Sequence, residues 1–267
     1  MKMPNLGMGT FRLEGDEGYH SVKMALEEGF RHIDTAQMYG NEAEVGRAIA
    51  DSGIPRDELF VTTKVHMKNF AQQDFLPSVK ESLDKLQLEY VDMLLIHWPS
   101  PANGDNMDVY LGELMKAQEH GLTKSIGVSN FTIELLEKAQ ALLPNGILAN
   151  NQVEIHPYLQ NNKLRSYCNQ MGIHVTAYMP FAVGKVLKDE TLQAIADKHN
   201  ASVAQVTIAW ALQQGITVIP SSTKRKNLQD NLAGPLLALD TEDIAKIATL
   251  DCDDRQVDPD FAPQWDE

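Results

Sequence analysis

An α/β fold of the (β/α)8 TIM-barrel class, in a single domain over residues 1–267, is what three features of the sequence predict. Runs of strand length rich in Val, Ile and Leu alternate with amphipathic helical segments, the pattern of parallel strands joined by helical crossovers. There are eight such runs within about 220 residues, which suits a closed barrel. Several helical segments also stop at a glycine, as at Glu28-Gly29, His120-Gly121, Met171-Gly172 and Gln214-Gly215; glycine enters the left-handed conformation that ends a helix without steric cost.

In chain order the strand-like runs are 5–10, 30–34, 59–64, 91–97, 125–129, 147–153, 174–178 and 217–220. Helical patterns fall at 17–28, 42–51, 76–86, 109–120, 133–142, 163–171, 191–198 with 203–213, and 227–232. The segment FRHIDTAQMYGNEAEVG (30–46) sets the pattern. A short strand delivers Asp34 to its C-terminal end, a loop carries Tyr39, and a helix opens at Asn41. Glu42 and Glu44 lie in its first turn, where the helix dipole favours carboxylates. A doubly wound sheet is the rival, but it usually carries GxGxxG after its first strand. Gly7-Met8-Gly9-Thr10 is a fragment of that motif, with no third glycine and no helix start. Residues 251–267 read as a turn-rich tail over the substrate mouth. Only residues 1–4 precede the first strand, so the barrel floor must be closed by side chains or a reduced hairpin.

The 43% hydrophobic and 22% charged content is that of a globular chain rather than a disordered one. No run of about 20 apolar residues predicts a transmembrane helix, and MKMPNLGMGT lacks a signal-peptide core. Cys168 and Cys252 form no disulfide framework or zinc spacing, which suits a reduced, cytoplasmic protein. A net charge of −14 and a pI near 5.0 argue against nucleic acid or anionic membrane as partners. They also make the compact basic cluster Lys224-Arg225-Lys226 informative.

Active sites of such barrels lie at the C-terminal ends of the strands. Those positions hold Gly9-Thr10-Phe11, Asp34 with Tyr39, Lys64, His97-Trp98, Ser129-Asn130, Gln152, Tyr178 and Pro220-Ser221-Ser222-Thr223. Each alone has a structural explanation: Asp34 as a cap, Lys64 as a solvated strand end, His97 as a satisfied core imidazole, the tyrosines as loop and core aromatics. Together they point elsewhere. Lys64 and Asp34 on neighbouring strands face one mouth, where pairing offsets the cost of burying either. A phenol is a poor acid at neutral pH. An ammonium beside it should acidify Tyr39 into a better proton donor, with Asp34 holding Lys64 charged and His97 orienting a carbonyl oxygen. No nucleophile–base pair or metal set is evident, so the attacking group should come from a cofactor, and a nicotinamide hydride fits.

These residues resemble the aldo-keto reductase family over essentially the whole chain. The matching segments are LGMGTF (6–11), GFRHIDTAQMYGNEAEVG (29–46), FVTTK (60–64), LLIHWP (94–99), IGVSNF (126–131), NQVEIHPYL (151–159), AYMP (177–180) and VIPSSTKRKNLQDN (218–231). The resemblance implies a catalytic tetrad of Asp34, Tyr39, Lys64 and His97. It implies nicotinamide carboxamide ligands at Ser129, Asn130 and Gln152, and a ring-stacking aromatic at Tyr178. NADPH is the implied cofactor. Gly9, Thr10, Pro220, Ser221, Ser222 and Thr223 would contact it, Lys224 and Arg225 would neutralise its 2′-phosphate, and Asp230 and Asn231 would meet the adenine. Ser221 and Asn227 stand where many relatives carry lysine and arginine, which leaves some NADH use open. Phe11, His66 and Trp98 are expected in the substrate pocket, with Phe11 and His66 replacing indoles. That implies NADPH-dependent reduction of small carbonyl substrates such as methylglyoxal and 2,5-diketo-D-gluconate by a monomer, with no metal. Phe261 and Trp265 either close over the substrate or simply pack the terminus. Two rivals remain: a sensory barrel that holds NADPH with little turnover, and a metal-dependent hydrolase using His32, Asp34 and His97.

Overall fold

The computed structural model describes residues 2–100 and 106–266; Met1 of the short N-terminal lead and Glu267 of the tail lie outside them. Strands and helices alternate as β1 (Met8–Gly9), α1 (Gly15–Glu28), β2 (His32–Asp34), α2 (Glu42–Ser52), β3 (Phe60–Val65), α3 (Gln72–Leu86), β4 (Val91–Ile96), α4 (Met107–Glu119), β5 (Thr123–Ser129), α5 (Ile133–Leu142), β6 (Leu148–Glu154), α6 (Asn162–Gln170), β7 (His174–Tyr178), α7 (Glu190–His199), α8 (Val203–Gln213), β8 (Thr217–Val218), α9 (Arg225–Ala233) and α10 (Thr241–Ala248). The eight strands pair in sequence order, β1 to β8, and every ladder is parallel.

The ring closes between the last strand and the first. Gly7 N donates to Val218 O (2.9 Å), Val218 N to Asn5 O (2.9 Å) and Gly9 N to Pro220 O (3.0 Å). Gly9 permits this approach, because a Cβ there would lie 2.6 Å from Ile219 O.

Both faces of β3 and β4 are covered, so all six residues of each are buried, as for strands with helices outside and packed side chains inside. The floor is sealed by Phe60, Met93 and Leu95, with Met3 and Ala149 packed against them.

Helix α10 was not evident from the pattern of apolar residues. It opens with a capping box: Asp240 Oδ1 accepts from Glu242 N and Asp243 N, while Asp243 Oδ2 accepts from Asp240 N. Asn41 corrects an expectation. Its side chain makes no cap for α2. Instead Nδ2 donates to Thr10 O and Leu13 O (both 2.8 Å) and Oδ1 accepts from Thr35 Oγ1 (2.8 Å). The loops after β1 and β2 are therefore tied together beneath the site.

His32 fills the barrel interior below Asp34. Its Nε2 meets Thr62 Oγ1 at 3.2 Å, and its ring leaves no room for a Cβ on Gly7. Burial lowers its pKa to about 4. The unfolded chain therefore binds a proton at His32 below about pH 6.5, while the fold binds it only near pH 4. Stability contributed by the neutral ring is complete above that upper value and falls as pH drops through the window, by about 3 kcal/mol. Urea unfolding at neutral pH and near pH 4 should show this loss, reduced in His32→Gln. An equal loss in the variant would refute the assignment.

Candidate active site

Each β-strand ends at the same rim, and the polar ends meet there. Asp34 closes β2, buried at 1%. Lys64, the penultimate residue of β3, is fully buried and donates from Nζ to Asp34 Oδ1 (2.5 Å), Thr35 O (2.9 Å) and Tyr39 Oη (3.2 Å). Burial alone would pull the ammonium down; the charge of Asp34 and the Tyr39 phenol outweigh it, so its pKa lies above the ordinary lysine value. Lys64 is a fixed cation.

Tyr39 sits in a 3₁₀ turn, Gln37–Tyr39. Gln37 pins that turn: its Nε2 donates to Ser78 O, Ser78 Oγ and Ser82 Oγ of α3 (3.1 Å each), and its Oε1 accepts from His66 N and Asn69 Nδ2 (2.9 Å each). Glu42, buried at the start of α2, accepts from Thr63 Oγ1 at 2.5 Å and braces β3 beside Lys64.

The phenol departs from expectation in one respect. Burial raises its pKa above the ordinary value; Lys64 lowers it in turn but only in part, and the Asp34 charge raises it again. It is not an acidified phenol. Lys64 limits the rise that burial imposes and keeps the hydroxyl a usable donor.

His97, the residue after β4, packs edge-on to Tyr39 with centroids 5.4 Å apart. Burial, then the charge of Lys64, then His66 hold its pKa well below the ordinary value, so the ring is neutral and donates through a single N–H. Among the described residues its buried Nδ1 has no hydrogen-bond partner.

The amide ligands implied by the resemblance converge on the tetrad. Gln152 Nε2 donates to Asp34 Oδ2 (2.7 Å) and Ser129 Oγ to Gln152 O (2.7 Å). Asn130 takes a left-handed conformation (φ 62°), donates from Nδ2 to His97 O (3.0 Å) and accepts from Tyr178 Oη (2.7 Å). Burial, then the charge of Glu154, raises the Tyr178 phenol well above its ordinary pKa, so it stays protonated and can donate to Asn130.

A cavity of about 590 Å³ opens over these groups. Gly9, Thr10, Asp34, Tyr39, His97, Ser129, Asn130, Gln152, Tyr178, Pro220 and Ser221 line it, as do Phe11 and Trp98. Ser222, Thr223, Lys224, Arg225, Asp230 and Asn231 do not. Arg225 pairs with Glu27 (2.6 Å) and Glu28 on α1. Asp230 accepts from Ser202 Oγ and Gln205 Nε2 (2.6 Å each), joining α9 to α8. Asn231 is buried.

His66 is a correction: it is not part of the cavity wall. Its Nδ1 accepts from Lys68 N (3.0 Å) and caps the turn Met67–Asn69.

Other wall residues were not identified from the sequence. Arg12, left-handed at φ 66°, lays its guanidinium 5.0 Å over the Phe11 ring. Phe181, Val183 and Leu187 come from the loop after β7, and Gln256, Val257, Asp258 and Pro259 come from the tail with Phe261. Phe261 is the exception: the sequence marks it as a candidate to close over the substrate, and it lines the cavity. Trp98 contacts the rings of Phe261 (5.4 Å) and Trp265 (6.1 Å). Among the described residues no three His, Cys, Asp or Glu side chains converge as a metal set, and no helix is long and apolar enough to cross a membrane.

Residues 5–251 match the aldo/keto reductase family. The chain is 54% identical to methylglyoxal reductase DkgB of Escherichia coli O157:H7 over the full length of both. It is 41% identical to a glyoxal reductase of Bacillus subtilis (strain 168), covering 96% of this chain and 91% of that one. Among solved structures, a putative 2,5-diketo-D-gluconic acid reductase B superposes with a TM-score of 0.95 at 41% identity, covering 99% of this chain and 94% of that one.

Proposed function

This chain belongs to the aldo/keto reductase family and is an oxidoreductase of carbonyl groups, and from that premise we propose that it reduces small aldehydes and ketones with NADPH, using Tyr39 as the proton donor. Methylglyoxal, 2,5-diketo-D-gluconate and related dicarbonyls are the substrate class. The observation that carries this reading is the contact of Lys64 Nζ with Tyr39 Oη at 3.2 Å, behind the wall of a cavity that Tyr39 and His97 line.

NADPH, when bound, would supply the hydride. The chain does the rest. Asp34 and Thr35 O fix the Lys64 ammonium, and Lys64 favours the phenolate that remains once Tyr39 has given its proton to the carbonyl oxygen. Neutral His97 donates to the same oxygen and orients it. Phe11, Trp98 and the tail exclude water, and residues 251–266 belong in this reading to the same domain.

The donor set fits the cofactor. Ser129, Asn130 and Gln152 would hold the carboxamide and Tyr178 would lie against the ring. Helix α9 has no side-chain cap at Lys224, so its first N–H groups suit a phosphate beside Ser221, Ser222 and Thr223. Lys224 and Arg225 would meet the 2′-phosphate. The present partners of Arg225 are half-exposed or partly exposed carboxylates, and surface pairs of that kind hold weakly enough to be exchanged. Gly9 and Thr10 would border the cofactor, and Asp230 and Asn231 its adenine end. The family resemblance further implies a cytoplasmic monomer.

NADPH oxidation should be faster with methylglyoxal than with a bulky aryl aldehyde, by at least about tenfold in kcat/KM, and slower with NADH. Equal or better efficiency on the bulky substrate would refute the small-carbonyl reading. No oxidation with any carbonyl would refute the mechanism.

A further inference from the structure

The last residue of β6 is a fully buried glutamate that takes no part in the chemistry above. Glu154 Oε1 accepts from Gln256 N (2.7 Å) and His156 Nε2 (2.9 Å), and Oε2 accepts from Val257 N (2.8 Å). A carboxylate rooted in the barrel thus grips two consecutive backbone N–H groups of the tail. A buried carboxylate is tolerated only while charge-assisted hydrogen bonds replace its water. Here two of its three donors sit on the tail, so the carboxylate is satisfied only while the tail is docked.

The gripped segment continues directly into the substrate wall. Val257, Asp258, Pro259 and Phe261 all line the cavity. The segment has no helix or strand of its own to fix it. Several side-chain contacts also fasten the tail. Asp258 Oδ1 accepts from Trp265 Nε1 (2.8 Å), the Arg255 guanidinium lies 3.7 Å over the Trp265 ring, and Lys185 pairs with Asp254 (2.8 Å). On either side of the gripped segment Tyr158 O accepts from Cys252 N and Asp254 N (3.1 Å each), Asp266 accepts from Ile133 N at the start of α5 (3.0 Å), and Phe261 and Trp265 pack on Trp98; the Glu154 carboxylate is the fully buried group that holds the backbone of residues 256 and 257.

We propose that Glu154 is a positioning residue that sets the size discrimination of the substrate cavity, by holding residues 256–261 against Trp98. The inference rests on the reductase reading and deepens it.

Glu154→Gln tests it in the full-length protein. The amide keeps the shape but presents an NH2 group to one of the N–H donors. Amide exchange at 256–261 should accelerate about tenfold or more, with the β-strands unchanged. KM for methylglyoxal should rise more than kcat falls, and the efficiency ratio of bulky aryl aldehyde to methylglyoxal should rise severalfold. Val257→Pro removes one donor and leaves Glu154 and the barrel intact; it should act in the same direction, and it decides the matter if Glu154→Gln does not fold. Exchange unchanged at 256–261, exchange accelerated throughout the strands, or a fall in kcat at constant KM and constant size ratio would each overturn the inference. A wild-type protein inactive on every carbonyl would instead sink the reductase reading, whereas unchanged tail exchange sinks this one with that reading intact.

Discussion

Replacing Tyr39 by phenylalanine should lower kcat/KM for methylglyoxal by between about 10²- and 10⁴-fold, the usual contribution of a positioned general acid. NADPH binding, measured by quenching of intrinsic fluorescence, should change little. The reason is local. The substitution removes one oxygen and leaves the ring between Phe11 and His97, at centroid distances of 5.2 and 5.4 Å. Lys64 keeps Asp34 and Thr35 O as partners, so the fold should lose only about 1 kcal/mol, the worth of one hydrogen bond. A variant that retained more than about a tenth of the activity would show that the proton comes from elsewhere.

The parts of this site that were legible in the sequence are those fixed by strand topology. Once eight parallel strands are recognised, Asp34, Lys64, His97 and Gln152 must share a rim, because each lies at the end of a buried run. What the sequence left obscure depends on side-chain direction or on partners far along the chain. Arg225 lies in a basic cluster, yet its guanidinium turns to Glu27 and Glu28 nearly two hundred residues earlier. His66 follows a strand end, but its ring accepts a hydrogen bond two residues on and caps the next turn, and it does not line the cavity. Charge reasoning put Tyr39 below its ordinary pKa; burial, which no motif records, decides the opposite sign. The tail was readable as a tail, but its attachment to Glu154 joins positions about a hundred residues apart through backbone N–H groups, and a backbone donor carries no residue signature.

Lys64→Met should be more damaging to the fold than Tyr39→Phe and comparably damaging to turnover. Removing the ammonium leaves Asp34, 1% exposed, with Gln152 Nε2 and no cation. Breaking a buried pair in this way costs about 3–5 kcal/mol, visible as a lower urea midpoint. The double variant Lys64→Met/Asp34→Asn should recover much of that stability and none of the activity, because the uncompensated charge is gone while the phenol still lacks its neighbour. Activity should fall by about 10²–10³-fold, the scale of losing one preorganised charge at a reacting oxygen. The pH profile gives the sign. Lys64 lowers the Tyr39 pKa, so its removal raises that pKa further. Reduction needs the protonated phenol, so the alkaline limb of kcat/KM should move to higher pH while the plateau drops. Since Lys64 acts through Tyr39, adding Lys64→Met to Tyr39→Phe should cost little further activity. Full additivity of the two losses, or an alkaline limb that stays in place, would mean that Lys64 serves the site only as a structural partner of Asp34.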